Sequence, residues 1–496
     1  MMSISDSKEF FRWDYTNTLF PLRMNSLLVD KSPDRLHDFI TTKVLADGGS
    51  FQSQHRVFAS KKAWSLRRTV KLDPVAEFFL YDIVYRNRKV FRSGSSSREV
   101  HGYRIVKGIP LSPLGSYADF KKSVAQKRST YKYYAYIDIA SYFNHIYHHD
   151  LVRWFEDAGA GQNDLLIFGK FLREIVGGRS IDCLPQGLYP AKMIGSNFLH
   201  FLEDSNRIRA KQSVRLMDDI WLFDNDRSTL ISDCLLIQSL LSDRGLSVND
   251  RKSVILEGYG LNEDVDIDEI KVELLRKRRD RLKEEGYGEW ENEEEEEDPE
   301  DLEELEQEEQ DYLISLLKKD TIHEEDAELV LALMQEHSSD IMEFLPTLIK
   351  GFPGLAKKLF HFCKDVPDKE DITEILIELL NHDDPVTEYQ LFWFGAMTED
   401  YLLGTRKVGE LIMALYDHDK ATAITKAKIL EIPEKRFGLS DMREEQLKTG
   451  HSGWLSWSSA VGARAHAKGQ RNQLLKYFRK ASPMNQLIGE FVESCF

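Results

Sequence analysis

The spacing of apolar residues changes character several times along this 496-residue chain. DPVAEFFLYDIVYRN reads as a helix, with Asp73 as its N-cap and Pro74 at the first helical position, where the missing N–H costs nothing. The short aromatic and β-branched run Tyr133–Ile139 predicts a strand, and the ASYFNHIYHHDLVRWF that follows has the period of an amphipathic helix. Further helices are expected over Leu165–Val176 and Ala191–Ala210. SVRLMDDIWLFDND then reads as two strands meeting at an Asp pair, Leu230–Leu241 as a helix, and LSVNDRKSVIL as an extended segment after the break at Gly245. Strand, helix, helix, hairpin, helix, strand is an α+β order, unlike the βα alternation of a doubly wound sheet.

Beyond about residue 265 the texture changes. A charged stretch (DEIKVELLRKRRDRLKEE) leads into an acidic run and then into amphipathic segments punctuated by Pro346, Pro353, Pro367 and Pro385. Helix pairs of this kind predict an all-α, HEAT-like half. Four regions are expected: an N-terminal extension over 1–60, an α+β unit over 61–265, a charged helix and acidic linker over 266–310, and a helical domain over 311–496.

Charge matters once it is located. Residues 1–260 carry 37 Lys+Arg against 29 Asp+Glu, while residues 261–496 carry 29 against 54, so the overall net charge of −17 conceals a basic front half. A polyanion responds to the local field, and that half can supply a positive one. Fourteen acids fall in Glu291–Gln310, which has no Lys or Arg; like charges at that density repel and read as a linker. The basic, aromatic segment near the C-terminus, with Trp454, Trp457, Arg464, Lys468 and Arg471, reads as a cap on the helical half or as a track for single-stranded nucleic acid. The four cysteines lack the CxxC spacing of a zinc or redox site, and no apolar stretch is long enough to span a membrane, so a cytoplasmic protein with no membrane partner is expected.

The candidate chemistry lies in acids at strand ends. Asp138 closes the predicted strand, and Asp218 and Asp219 sit at the tip of the predicted hairpin. Carboxylates so placed can converge on two hard divalent cations, as phosphoryl transfer requires. They stand in a longer order: Asp138-Ile-x-x-x-Phe143-Asn144-x-Ile146, Leu184-Pro-Gln-Gly187 with Asn197 ten residues on, Arg215-Leu-Met-Asp-Asp219, and Gly245-Leu-x-x-Asn249-x-x-Lys252. Four ordered motifs over about 115 residues closely resemble the palm of reverse transcriptases.

That resemblance implies a reverse transcriptase-like fingers and palm over residues 61–265, with roles for single residues. Asp138, Asp218 and the backbone of Ile139 would hold two Mg²⁺ ions, for which Mn²⁺ can substitute, and Asp219 would tune the field as a third catalytic acid. The N–H groups near Ser141 and Tyr142 would receive a triphosphate. Phe143 would exclude a ribose 2′-hydroxyl and so select deoxynucleotides. Gln186 and Gly187 would line the nucleotide pocket, Lys252 would meet phosphate, and Arg67, Arg68, Lys71 and Arg104 are candidate triphosphate ligands. One position departs from the pattern: Leu216 stands where most members carry Tyr or Phe, which alters contact with a primer end or template.

A reverse transcriptase-like half joined to a helical half is similar to the abortive-infection polymerases of bacterial phage defence, the prophage-encoded type in particular. Such enzymes imply deoxynucleotide substrates, synthesis without a template, a protein hydroxyl as primer, a covalently attached single-stranded DNA product and homo-oligomerisation. Tyr15, near the N-terminus, is the candidate primer. The rival expectations are an RNA-templated reverse transcriptase and a catalytically degenerate RNA-binding scaffold.

Overall fold

The computed structural model describes residues 4–46, 48–177, 183–258, 274, 277, 305–319, 321–382 and 384–496; the acidic run and almost all of the expected 266–310 region lie outside these. Nine strands occur among the described residues: β1 (His55–Ser60), β2 (Leu66–Lys71), β3 (Arg98–His101), β4 (Ile105–Val106), β5 (Ile109–Pro110), β6 (Tyr133–Asp138), β7 (Gln212–Leu216), β8 (Asp219–Asp224) and β9 (Val254–Glu257). β1 and β2 form an antiparallel hairpin, and a five-stranded sheet runs β3-β7-β8-β6-β9.

Alternation along these strands gives the sheet two different faces. One carries Ala135, Ile137, Ile220 and Leu222 into the main core, where helix Arg227–Ser242 packs on β6 and β8. The other carries Tyr134, Tyr136 and Asp138 opposite Phe223, Trp221 and Asp219. Helix Pro113–Thr130 covers part of this second face: Phe120 and Val124 pack with Tyr134, Val214, Leu216 and Phe223, while Lys127 and Ser123 bond Glu99 on β3.

Helix Pro74–Arg86 starts as expected, the Asp73 carboxylate accepting from the N–H groups of Val75 and Ala76. The helix expected after β6 is interrupted. Ser141 adopts a left-handed conformation (φ 47°, ψ 40°), Tyr142–Asn144 form a tight 3₁₀ turn, and the helix begins only at His148. Its apolar spacing arises because Tyr142, Phe143 and Ile146 are buried by the turn itself. The helix expected over 191–210 is two pieces, Tyr189–Phe198 and His200–Asp204.

The N-terminal segment is no separate extension. Phe10, Phe11, Phe20, Leu22 and Leu28 are buried in the main core, and the boundary expected at residue 60 falls inside the β1–β2 hairpin. From residue 307 onward the described chain is helical, and alternate helices stack in two layers. Glu324–Leu333, Ala356–Asp365, Glu388–Met397, Ala423–Leu430, Trp454–Gly462 and Pro483–Cys495 follow one another in the first, with Leu345–Gly351, Lys369–Asn381 and Val408–Asp417 in the second. Helix Glu388–Met397, buried along its whole length, packs on β1.

The two halves meet through specific polar contacts. Glu431, fully buried, accepts from the N–H groups of Arg23 (2.8 Å) and Met24 (3.0 Å), satisfying the exposed amides at the start of helix Arg23–Lys31. Lys428 neutralises it and Glu399 (3.1 and 2.5 Å). The hairpin is held similarly: Glu388 accepts from Phe58 N–H (2.9 Å), Ser60 bonds Thr387 (2.8 Å), and Lys62 pairs with Glu325 (2.6 Å).

Candidate active site

The register of β6 against β8 sets Asp138 directly opposite Asp219, which puts their Cβ atoms about 5 Å apart on one face. β7 and β8 join through a two-residue turn, Met217-Asp218, so Asp218 projects beside that pair. Met217 takes φ 54°, a left-handed value that glycine ordinarily supplies at the first central position of such hairpins. Asp138, Asp218 and Asp219, 80 residues apart along the chain, therefore share one sheet end, as the motifs predicted.

Electrostatics follow from this crowding. Burial, then the charges of Asp219 and Asp138, push the Asp218 carboxyl up to about 6. Burial and Asp138 also raise Asp219, while the Tyr136 hydroxyl, 2.5 Å from Asp219 Oδ1, opposes that rise by donating to the carboxylate. Asp138 is held by Asn249, whose Nδ2 donates to Oδ2 at 2.8 Å, with Lys252 Nζ 3.6 Å from Oδ1.

The Ile139 backbone is turned the right way for a ligand. Asn249 N–H bonds the Asp138 carbonyl (2.7 Å) and Ala140 N–H bonds Ser247 (2.8 Å), flanking the Ile139–Val248 bridge. In such a pair the N–H and C=O of Ile139 itself face the opposite side, which by register is the Asp218 side. Among the described residues, no three His, Cys, Asp or Glu side chains converge into an all-side-chain metal site. Two carboxylates, a backbone carbonyl and the repulsion that keeps Asp218 raised nonetheless fit hard divalent cations that retain further oxygen ligands from substrate or water.

Three cations face these acids. Lys61 and Arg67 of the β1–β2 hairpin are both attracted to Asp218, and burial pulls the pKa of each down; Arg67 and Lys252 lower Lys61 further. The buried Nε of Arg67 has no hydrogen-bond partner. The other expected cations divide: Arg68 donates to Asn144 Oδ1 (3.3 Å), Arg104 reaches the Val100 carbonyl (3.5 Å), and Lys71 is buried against Glu77 (2.8 Å), which removes it from the triphosphate candidates.

The expected nucleotide pocket is assembled around the 3₁₀ turn. Tyr142 is buried and donates to the Gly195 carbonyl (2.6 Å), while Phe143, 6% exposed, packs edgewise on Tyr142 and against Gly195. The Phe143 carbonyl accepts from Leu184 N–H (3.0 Å), and the Gln186 carbonyl accepts from Thr69 of β2 (2.8 Å), which ties hairpin, turn and helix together. Gly187 has φ 102°, and a Cβ there would lie 2.6 Å from Leu19. Lys252 has a side chain 63% exposed, within reach of both acid and solvent.

Tyr15 is not brought to this site. Its ring lies against Phe11 (5.6 Å), and its hydroxyl sits among Glu431, Arg23 and Ser26, where burial and Glu431 raise the phenol well above 10. A primer would need the reverse. The C-terminal aromatics are equally enclosed: Trp457 is buried and bonds Asn485 (2.9 Å), while Arg464 bonds the Glu431 carbonyl (2.7 Å), which fits a cap; of the basic residues named for a nucleic-acid track, Lys468 is exposed. Tyr136 and Lys61 went unrecognised in the sequence, and Arg215 stood in its motif without an assigned role. The signal for Tyr136 was its place two residues before Asp138 on a strand, which sets it on the acid face.

Residues 91–313 match the family model described as "Reverse transcriptase (RNA-dependent DNA polymerase)", so the chain carries a reverse transcriptase domain, a nucleotidyltransferase family. That match begins after the β1–β2 hairpin and runs past residue 265. No curated protein matches the chain. A similar solved structure is the telomerase of Candida albicans in complex with a fragment of telomeric RNA, at 11% identity and a TM-score of 0.28, covering 80% of this chain and 67% of that one. Among the described residues no helix is long and apolar enough to cross a membrane.

Proposed function

We propose that this reverse transcriptase domain joins deoxynucleotides by two-metal nucleotidyl transfer, as a phage-defence DNA polymerase of the abortive-infection type. The observation that carries the activity is the register of Asp138 against Asp219 with Asp218 beside them, faced by Lys61, Arg67 and Lys252. Asp138, Asp218 and the Ile139 carbonyl would hold the divalent ions. When bound, these ions supply charge neutralisation at the attacking and departing oxygens. Lys61, Arg67 and Lys252 bind the triphosphate and orient it for in-line attack. Phe143, held by Tyr142 and Gly195, would bar a ribose 2′-hydroxyl by its bulk, and Gln186-Gly187 would form the pocket wall.

Synthesis without a template is favoured by helix Pro113–Thr130, which covers part of the sheet face that bears the acids and narrows the surface where a paired template would rest. The two-layer stacking of alternate C-terminal helices supports the HEAT-like reading. Priming from a protein hydroxyl remains part of the proposal; for Tyr15 it requires the helix Ile4–Tyr15 to leave its pocket, and mass spectrometry of nuclease-treated protein identifies the modified residue.

The test is to incubate purified protein with Mg²⁺ and labelled deoxynucleotides alone. Label should migrate with the polypeptide, and Asp218→Asn should abolish it. Label that appears only when a defined RNA is added, in complementary product, establishes the templated alternative. No incorporation under broad metal and nucleotide conditions establishes the scaffold reading instead.

A further inference from the structure

Arg215 lies on β7 with its side chain on the core face, opposite to the acids, and is 1% exposed. A guanidinium taken fully out of water must find partners for its charge and its donors. Here Nε and Nη2 donate to the two oxygens of Glu203 at 2.7 and 2.9 Å, a planar fork that neutralises the charge and fixes the orientation. The remaining nitrogen, Nη1, donates at 3.0 Å to the Ser196 carbonyl and at 3.1 Å to the Met217 carbonyl.

Both acceptors belong to the proposed machinery. Ser196 is in the last turn of helix Tyr189–Phe198, which begins two residues after Gly187, and carbonyls in a last turn lack helical partners and favour a cation. The Met217 carbonyl belongs to the peptide that leads into Asp218. Met217 is held at φ 54°, a conformation disfavoured for a side-chain-bearing residue. Rotation of that peptide would swing the Asp218 carboxylate away from Asp138.

We infer that Arg215, clamped by Glu203, is a positioning residue for Asp218: it holds the strained Met217-Asp218 peptide in its left-handed turn and locks that turn to the nucleotide-pocket helix. This rests on the proposed two-metal site. Lysine cannot reproduce the bond set, because one ammonium cannot span the carboxylate fork and both carbonyls. Glycine at 217, in contrast, adopts the turn without steric strain.

The experiment uses full-length Arg215→Lys, Met217→Gly and the double variant. Mn²⁺ binding is measured by electron paramagnetic resonance, and incorporation is measured against metal and deoxynucleotide concentration. Arg215→Lys should weaken Mn²⁺ binding and raise the metal concentration for half-maximal activity about tenfold, with the deoxynucleotide KM within about twofold. Adding Met217→Gly should recover several-fold of that loss. Unchanged metal affinity in a folded Arg215→Lys protein, or a defect that Met217→Gly does not relieve, overturns the inference. Should Arg215→Lys fail to fold, Glu203→Gln, which keeps one acceptor and frees the clamp, must show the same metal defect and the same relief. If the unmodified protein incorporates nothing, the polymerase reading fails while Mn²⁺ binding still decides the role of Arg215.

Discussion

Three carboxylates at one sheet end make the metal-free protein less stable than it could be, and removing one charge should reveal it. Asp218 is pushed from an ordinary value of 3.8 up to about 6. A rise of about two units at about 1.4 kcal/mol each sets a ceiling of about 3 kcal/mol. Because part of the carboxylate still reaches solvent, which screens its charge, about 1–2 kcal/mol is the working figure. The sign follows from which form the fold disfavours. A raised acid binds its proton more tightly when folded, so the native protein gains stability as pH falls from about 6 towards 3.8, and the charged form destabilises it above that range. Asp218→Asn carries no charge at any of these pH values. In chelator at pH 8 it should therefore unfold about one to two degrees higher than the unmodified protein, with the gap shrinking as pH falls through 6 and vanishing near 4. Saturating Mg²⁺ should close or reverse the gap, since only the unmodified protein gains binding energy from the ions. Thermal unfolding by circular dichroism, with and without chelator, measures all of this. A variant no more stable than its parent at pH 8 without metal, or a gap that persists at pH 4, would refute the account of crowded acids.

Other outcomes follow from particular contacts. Glu431→Ala leaves two helix-start amides without their buried acceptor and Lys428 with Glu399 as its remaining partner, so chemical denaturation should show a loss of about 2–4 kcal/mol. Phe143→Val should relax discrimination between deoxy- and ribonucleotides about 10- to 100-fold, read from competing incorporation, with little change for deoxynucleotides. Gly187→Ala should destabilise by about 1–3 kcal/mol through its backbone angle and its collision with Leu19. Adding Leu19→Ala should return only the collision part, which a double-mutant cycle separates.

Much of the acid cluster could be read from the chain, because strand alternation and a two-residue hairpin leave few places for Asp138, Asp218 and Asp219 to go. The cap at Asp73 was legible for the same local reason. What could not be read depends on tertiary partners. Tyr142, Phe143 and Ile146 mimic a helical period while lying in a 3₁₀ turn and the irregular segment after it, since burial depends on which side faces the core and only indirectly on the element. The N-terminal segment looked peripheral by position, yet Phe10, Phe11 and Phe20 are core residues, and the same enclosure takes Tyr15 from the acids. Glu431 caps a helix 408 residues away in sequence, a pairing that no local pattern announces.

The hairpin that carries Lys61 and Arg67 is anchored on β1 and at its tip by Glu388, Thr387 and Glu325 from the helical half. A lid that swings must exchange contacts between open and shut states, whereas these bonds hold the strands to a rigid stack. Substrate selection on such a scaffold is made at the threshold, by the shape and charge of an already furnished chamber. Loosening the helical half would then alter chemistry far from its own surface.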